Sequence, residues 1–330
     1  MACLLIQHPQ GAQHQMPKGH PESPDRLHYL DLLFNHAQFA GFDKSEAKYA
    51  DLGLVELAHS QQHIQLVKSR RPVESIAEID GDTFIAANSF EAVMSGMGGA
   101  MDAVESVMLG HHQNGFCAIR PPGHHAEHDR PMGFCLFNTI AITALWAREK
   151  YGLERVAIVD FDVHHGNGTQ DIFYNDRNMF YGSTHEMPLF PGTGQKRETG
   201  AGNIYNAPLS QGTNGATMRE AYNDRILPAL DRFNPDLILL SAGFDADQRD
   251  PLASLNWEPR DFAWVTGKIM DIADKRCDNR IVSLLEGGYH LNALAEGVAA
   301  HINMLEHGEM GAPFDAAKEL EGIWRERENA

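Results

Sequence analysis

Apolar residues in this chain gather into two kinds of run, and the kinds alternate along it. Residues 116–119, 156–159, 237–240 and 281–285 are short runs dominated by Val, Ile, Leu, Ala and Phe. Runs of strand length with so little polar alternation read as strands buried on both faces of a parallel sheet. Residues 2–6 predict a first strand of the same kind. Between these runs, residues 24–39, 90–109, 139–151, 217–233, 261–276 and 291–306 carry apolar positions at helical spacing. The first of these helices begins with Ser23 as a cap candidate and Pro24 at its first position, and sets Leu27, Leu30, Leu33 and Phe34 on one face. In the second, Val93, Met97, Met101, Val104 and Met108 form a stripe that reads as core packing. Residues from 313 onward predict a charged terminal helix or tail. Strand and helix thus alternate, which predicts an α/β fold with a mostly parallel sheet. No linker, charge block, repeat or low-complexity segment divides the chain, so residues 1–330 are expected to form a single domain.

Each central apolar run stops at glycine and chemically capable residues. The stops are Pro121-Pro122-Gly123-His124-His125, Asp160-Phe161-Asp162-Val163-His164-His165-Gly166-Asn167-Gly168, Gly243-Phe244-Asp245 and Glu286-Gly287-Gly288-Tyr289. Ligands of open parallel sheets bind outside the carboxyl ends of the strands, so four such ends are expected to meet in one crevice. The segment from Asp160 is the most informative. An extended backbone turns alternate residues to the same side, and Asp162 and His164 would then reach one cation together.

The chain holds 27 basic and 45 acidic residues, a formal net charge of −18. Its Lys and Arg are dispersed, which argues against direct nucleic-acid binding. Cys3, Cys117, Cys135 and Cys277 are widely spaced with no Cys-x-x-Cys pair, so neither a disulfide framework nor a zinc ribbon is suggested. A reducing cytoplasm fits best. The apolar opening is too short for a signal peptide's hydrophobic region, and no stretch approaches a transmembrane span.

Other chemistries are weakly supported. Gly192-Thr193-Gly194 and Gly96-Met97-Gly98-Gly99 lack the third glycine of a dinucleotide fingerprint; no phosphate loop and no Gly-x-Ser-x-Gly elbow occur. His124-His125-Ala126-Glu127-His128 matches the inverted zinc-protease pattern, with His128 then a metal ligand. That pattern needs a helix, which the flanking Pro121, Pro122 and Pro131 oppose. From Asp160 the spacing also has the length of an EF-hand loop, but His164 and His165 fall where that loop wants an oxygen ligand and glycine.

Taken in order, Gly19-His20-Pro21-Glu22-Ser23, Arg120-Pro121-Pro122-Gly123-His124-His125, Gly133-Phe134-Cys135-Leu136-Phe137-Asn138, the Asp160 segment, Ser241-Ala242-Gly243-Phe244-Asp245 and Glu286-Gly287-Gly288-Tyr289 resemble the signatures of the histone deacetylase superfamily. Asn167, with Pro191-Gly192-Thr193-Gly194 and Gly200-Ala201-Gly202, makes the chain most similar to class II deacetylases and bacterial histone deacetylase-like amidohydrolases. The resemblance implies an arginase/deacetylase fold, an α/β domain with a mostly parallel eight-stranded sheet flanked by helices. It further implies a free-standing catalytic domain that removes acetyl or other acyl groups from acyl-lysine in proteins or peptides; the alternative is a deacetylase of acetylpolyamines or other small amides.

By that resemblance Asp162, His164 and Asp245 hold zinc. Three nitrogen and oxygen ligands leave an open position suited to catalysis, and Fe(II) is acceptable to the same donors. His125 would be the general base and His124 the partner that stabilises charge and helps protonate the leaving amine, with Asp160 orienting His124 and Asn167 orienting His125. Tyr289 would donate to the oxyanion. Phe134 and a second aromatic would wall the substrate stem, the Gly133 carbonyl would accept a substrate hydrogen bond, and Leu252 stands where polyamine-selective relatives carry Glu. Asp160, Asp162 and His164 with Ser183 and Thr184 would supply a potassium site. No membrane partner is expected, and an oligomer is compatible with the sequence.

Overall fold

A strand buried on both faces must find apolar partners on both, and each central strand here divides its side chains between two apolar layers. On one side of the sheet lie Leu5, Phe116, Ala157, Val159, Ile238, Leu240, Ile281 and Leu285; on the other lie Ile6, Cys117, Val156, Ile158, Leu237, Leu239, Val282 and Leu284. Successive residues alternate between the layers, which is why these runs carry no polar alternation.

The structure is a computed structural model that describes residues 3–328. In chain order its elements are β1 (Cys3–Gln7), α1 (Asp25–Asn35), β2 (Asp43–Glu46), α2 (Gln61–Arg70), β3 (Ile76–Asp80), β4 (Thr83–Ala86), α3 (Ser89–Met108) and β5 (Asn114–Cys117). There follow α4 (Thr139–Tyr151), β6 (Val156–Asp160), α5 (Asn167–Phe173), β7 (Met179–Glu186), β8 (Ile204–Leu209), α6 (Gly215–Ala221), α7 (Leu227–Phe233) and β9 (Leu237–Ala242). The chain continues through α8 (Pro259–Arg276), β10 (Ile281–Leu285), α9 (Leu291–His307), α10 (Ala316–Glu319) and α11 (Glu321–Glu328). Eight strands form one sheet in the order β2-β1-β5-β10-β9-β6-β7-β8, and every pairing within it is parallel. β3 and β4 make a separate antiparallel hairpin.

This order makes β5, β10, β9 and β6 consecutive neighbours, so the four strand ends predicted to share a crevice are adjacent. Their registers also align: Cys117 pairs Leu284, Leu285 pairs Ala242, and Ser241 pairs Asp160. The carboxyl ends therefore stop at one level.

Several boundaries differ from the sequence expectation. The first strand begins within the described residues at Cys3; Ala2, expected in it, lies outside them, as do Met1, Asn329 and Ala330 of the span 1–330. Strand β5 covers 114–117 rather than 116–119: Asn114 anchors its side chain on the Leu305 carbonyl at 3.0 Å, and Pro121 and Pro122 follow close behind. Helix α1 starts at Asp25 with Pro24 at the cap, so Ser23 contributes only its carbonyl, to the N–H of Arg26 at 3.2 Å. The helix ends at Asn35, and 37–39 form a separate 3₁₀ turn. The expected helix 217–233 begins earlier, because Asn214 Oδ1 accepts from Ala216 and Thr217 N–H at 3.1 and 3.3 Å. It also loosens into a π turn over Tyr222–Ile226, next to Pro228, which has no N–H to return to the preceding turn.

Candidate active site

Beyond Asp160 the chain leaves the sheet, and Asp162 and His164 lie in an irregular loop rather than on an extended strand. Asp162 and His164 therefore come together without the strand geometry expected of them. Their convergence is imposed by the neighbouring strand ends. The Gly287 N–H donates to Asp162 Oδ2 at 2.8 Å, and the Val163 N–H donates to Asp245 Oδ1 at 2.9 Å. His164 Nδ1 then lies 3.1 Å from both Asp162 Oδ1 and Asp245 Oδ2. Asp162, His164 and Asp245 are all buried, and ligand atoms from the three lie within 4.8 Å of one another, the one such cluster of metal-capable groups among the described residues. Two carboxylates and one imidazole so close together, with the mutual repulsion of the carboxylates buried from water, are a donor set that fits a divalent cation.

Close approach of backbone to carboxylate is what the glycines at these strand ends permit. A Cβ on Gly243 would fall 2.1 Å from Asp162 Oδ2, and one on Gly287 would fall 2.1 Å from Asp245 Oδ2.

The histidine pair sits on the loop after β5, with ring centroids 4.0 Å apart. Buried Glu286, at the end of β10, accepts from the Gly123 and His124 N–H groups at 2.7 and 3.2 Å and from the Ser241 hydroxyl at 3.1 Å, pinning that loop to the strand ends. His124 Nδ1 lies 3.0 Å from Asp160 Oδ2, which also accepts from the Tyr181 hydroxyl at 3.0 Å. Burial opposes a charge on His124, yet Asp160, Asp162 and Glu286 outweigh it and push its pKa up to about 10. Burial, with the charges of His124 and His164, pushes His125 well below its ordinary value.

The tautomer of His125 follows from its partners. Asn167 Nδ2 donates to Glu127 Oε1 at 2.7 Å, which leaves Asn167 Oδ1 to accept from His125 Nδ1 at 2.8 Å. His125 thus carries its proton on Nδ1 and keeps a lone pair on Nε2.

Above this floor opens a cavity of about 220 Å³. His125, His164 and Tyr289 line it together with Gly133, Phe134 and Leu252, all of them predicted site residues. Gly133 lies against His125, where a Cβ would fall 2.5 Å from the ring. Phe134 holds a left-handed backbone, φ 67°, and its N–H is taken by the Thr83 hydroxyl at 3.1 Å. Phe190 also lines the cavity, 5.1 Å between centroids from His125. Leu189 and Asp82 complete the lining and are not among the predicted residues. A sequence signal existed for each: an apolar pair between Pro188 and Pro191, and an acidic turn in Asp80-Gly81-Asp82.

Other predicted residues lie elsewhere. Ser183 stands opposite Asp160 in the β6–β7 pairing; its hydroxyl lies 2.9 Å from His185 Nδ1, and Thr184 donates to the Tyr222 hydroxyl at 3.3 Å. His128 turns away from the cluster, with Nδ1 2.7 Å from the Ala58 carbonyl, and residues 124–128 form no helix. The inverted-protease pattern is therefore coincidental. A larger groove between α8 and α9, about 670 Å³, contains none of the predicted residues.

Comparison with known proteins agrees in extent and in kind. The sequence pattern of the histone deacetylase domain matches residues 20–305. A rice protein (Oryza sativa subsp. japonica) named Histone deacetylase 10, chloroplastic is 38% identical over 93% of this chain and 73% of its own length. A protein of Archaeoglobus fulgidus named Probable deacetylase is 35% identical over 100% of this chain and 94% of its own. Among solved structures, the HDA15 HD domain superposes with a TM-score of 0.87 at 29% identity, covering 98% of this chain and 95% of that one.

Proposed function

This chain belongs to the histone deacetylase family and is a deacetylase, a hydrolase of amide bonds; on that premise we propose that it removes acetyl or other acyl groups from lysine side chains of proteins or peptides. The observation that carries this reading is the cavity: Phe134, Phe190, Leu189 and Leu252 make apolar walls suited to an alkyl stem, and the polar groups that line it include His125, His164 and Tyr289. The alternative substrate, an acetylated polyamine, would gain from a carboxylate at the position of Leu252, where this chain provides none. We read residues 1–330 as one catalytic domain, and four free buried cysteines support a reducing compartment such as the cytoplasm. No helix among the described residues is long and apolar enough to cross a membrane.

Asp162, His164 and Asp245 would hold zinc, or Fe(II) in its place. When bound, that ion supplies Lewis-acid polarisation of the scissile carbonyl and a more acidic water. The chain's own residues do the rest. His125 Nε2 takes the proton of the attacking water, and the Asn167 carbonyl keeps Nδ1 protonated so that the lone pair stays available. Tyr289 donates its hydroxyl to the carbonyl oxygen as charge develops there. The C–N bond then breaks, and the histidine pair returns a proton to the departing amine, with the Asp160 carboxylate favouring a protonated His124. The Gly133 carbonyl accepts from the substrate amide, and Phe134 with Phe190 flanks the stem. We add a potassium ion at Asp160, Asp162, His164, Ser183 and Thr184, a reading supported by buried Ser183, which pairs with Asp160 across β6 and β7, and by buried Thr184 next to it in the chain.

Turnover of an acetyl-lysine peptide, longer acyl-lysine peptides, acetylputrescine and acetylspermidine tests the substrate class. The peptides should have the higher kcat/KM, and a clear advantage for acetylspermidine would sink the assignment. Chelation should abolish hydrolysis, and added zinc should restore it. Activity that survives verified metal removal would overturn the metal-dependent reading.

A further inference from the structure

Tyr289 and Leu252 line the same cavity from different parts of the chain, and neither belongs to a strand or helix. No sheet ladder sets their positions, so something else must. Asp250 joins them. It sits in the loop after β9 with only 6% of its surface exposed, and its carboxylate divides its two oxygens between the two walls. Oδ1 accepts from the Leu252 N–H at 3.0 Å; Oδ2 accepts from the Tyr289 N–H at 2.7 Å and the His290 N–H at 3.4 Å. Three backbone N–H groups that converge on the two oxygens of one buried side chain define its place and theirs.

The loop that carries Asp250 is itself braced against the element that follows Tyr289. The Asp250 N–H donates to the Asp247 carbonyl at 2.9 Å, and Arg249 bridges Asp247 at 2.8 Å to Glu296 of α9 at 2.8 Å. Leu252, Asp250, Tyr289 and the first turns of α9 thus form a connected unit on one side of the cavity. Arg26 holds the other side of the same peptide, its Nε donating to the Gly288 carbonyl at 2.7 Å, while contacts on the Tyr289 ring are looser: the Arg26 guanidinium lies 5.0 Å from its centroid and the Phe134 ring 6.0 Å away.

We propose that Asp250 is a positioning residue: it locks the Tyr289 backbone to the Leu252 rim, so that the Tyr289 hydroxyl meets the developing oxyanion at the depth to which the rim admits the substrate. This rests on the role given to Tyr289 above. Asp250 touches no reacting atom and acts through Tyr289, and displacing a catalytic group by about an ångström costs up to roughly a hundredfold in rate.

A double-mutant cycle on the metal-loaded enzyme tests this, with acetyl-lysine peptide as substrate and metal content and thermal midpoint measured for every variant. Asp250→Ala should lower kcat about tenfold or more in the enzyme that retains Tyr289, and less than about twofold in Tyr289→Phe, because the donor it positions is already gone. A loss confined to the fold would appear equally in both backgrounds, so equal factors overturn the proposal. Loss of metal from Asp250→Ala would overturn it too, by tracing the defect to Asp245. If Asp250→Ala does not fold, Asp250→Asn carries the same cycle: an amide opposes one of the N–H arms with an NH₂ group, and its loss in kcat must likewise vanish beside Tyr289→Phe. A Tyr289→Phe enzyme with wild-type kcat fails at the earlier step, faulting the reading of Tyr289 and with it this one.

Discussion

At the scale of single residues, a carboxylate, an imidazole or a phenol is worth what its immediate partners make of it. Asp162, His164 and Asp245 are held by backbone N–H groups and by one another, whereas His128, in the same motif as His124 and His125, is spent on a backbone carbonyl. Asp245→Ala should therefore empty the metal site, and His128→Ala should leave it filled. Elemental analysis of the two variants decides this, and a metal-free His128→Ala beside a replete Asp245→Ala would contradict the assignment. On the proposed mechanism Tyr289 belongs to a different class, since its hydroxyl would act on charge that exists only in the transition state. Tyr289→Phe should lower kcat by about a hundredfold or more with metal content unchanged. Steady-state kinetics beside metal analysis separates the two kinds of residue.

At the scale of elements, the site is a property of where β5, β6, β9 and β10 stop. Parallel registry brings the four ends to one level, and the loops beyond them interlock: the Phe244 N–H donates to the Gly287 carbonyl at 3.1 Å, and the Glu286 N–H to Ala242 at 3.0 Å. Such packing leaves no room for a side chain at the crossing. A Cβ on Gly287 would come 2.1 Å from Asp245 Oδ2 and 2.7 Å from Asp162 Oδ2, both fully buried. Gly287→Ala should displace the two carboxylates, so that the variant folds with wild-type far-UV circular dichroism and binds metal poorly. A metal-replete, fully active Gly287→Ala would show that these loops yield more easily than their contacts imply.

At the scale of the whole molecule, the two apolar layers enclose histidines that take no part in the chemistry. His301 of α9 is fully buried between Thr266 and Ser283, with its two ring nitrogens 2.7 and 2.9 Å from their hydroxyls, and burial alone lowers its pKa to about 3. Burial also lowers His8, His14 and His59 to about 3. In the unfolded chain these groups take up protons near pH 6.5, whereas the folded protein resists until about pH 3, so between those values the unfolded state binds more protons. Their contribution is complete above pH 6.5 and is lost as pH falls. Denaturant unfolding at pH 7.5 and 5 should show that decline. His301→Asn should be less stable at pH 7.5 yet less sensitive to acid, with a slope shallower by about one proton. An unchanged slope would mean that His301 is not held neutral in the fold.

The sequence alone determined the alternation of strand and helix and the chemistry at the strand ends, because those depend on local pattern: unbroken apolar runs, helical spacing, and glycines next to Asp, His and Tyr. It also determined the second partners of the histidines, since Asp160 and Asn167 stand in motifs whose resemblance assigned them. Elements that break the local rules were illegible. β7 buries Ser183, Thr184 and His185 within a strand, β2 is a polar edge strand, and α2 has little apolar face to announce it. Only the tertiary structure decided that Asp162 and His164 converge through a loop instead of a strand, that Phe190 lines the cavity, that Glu286 pins the histidine loop, and that Asp250 joins Leu252 to Tyr289. Each of these joins residues far apart in the chain, so strand order and register bring them together, while composition and spacing report only on neighbours along the backbone.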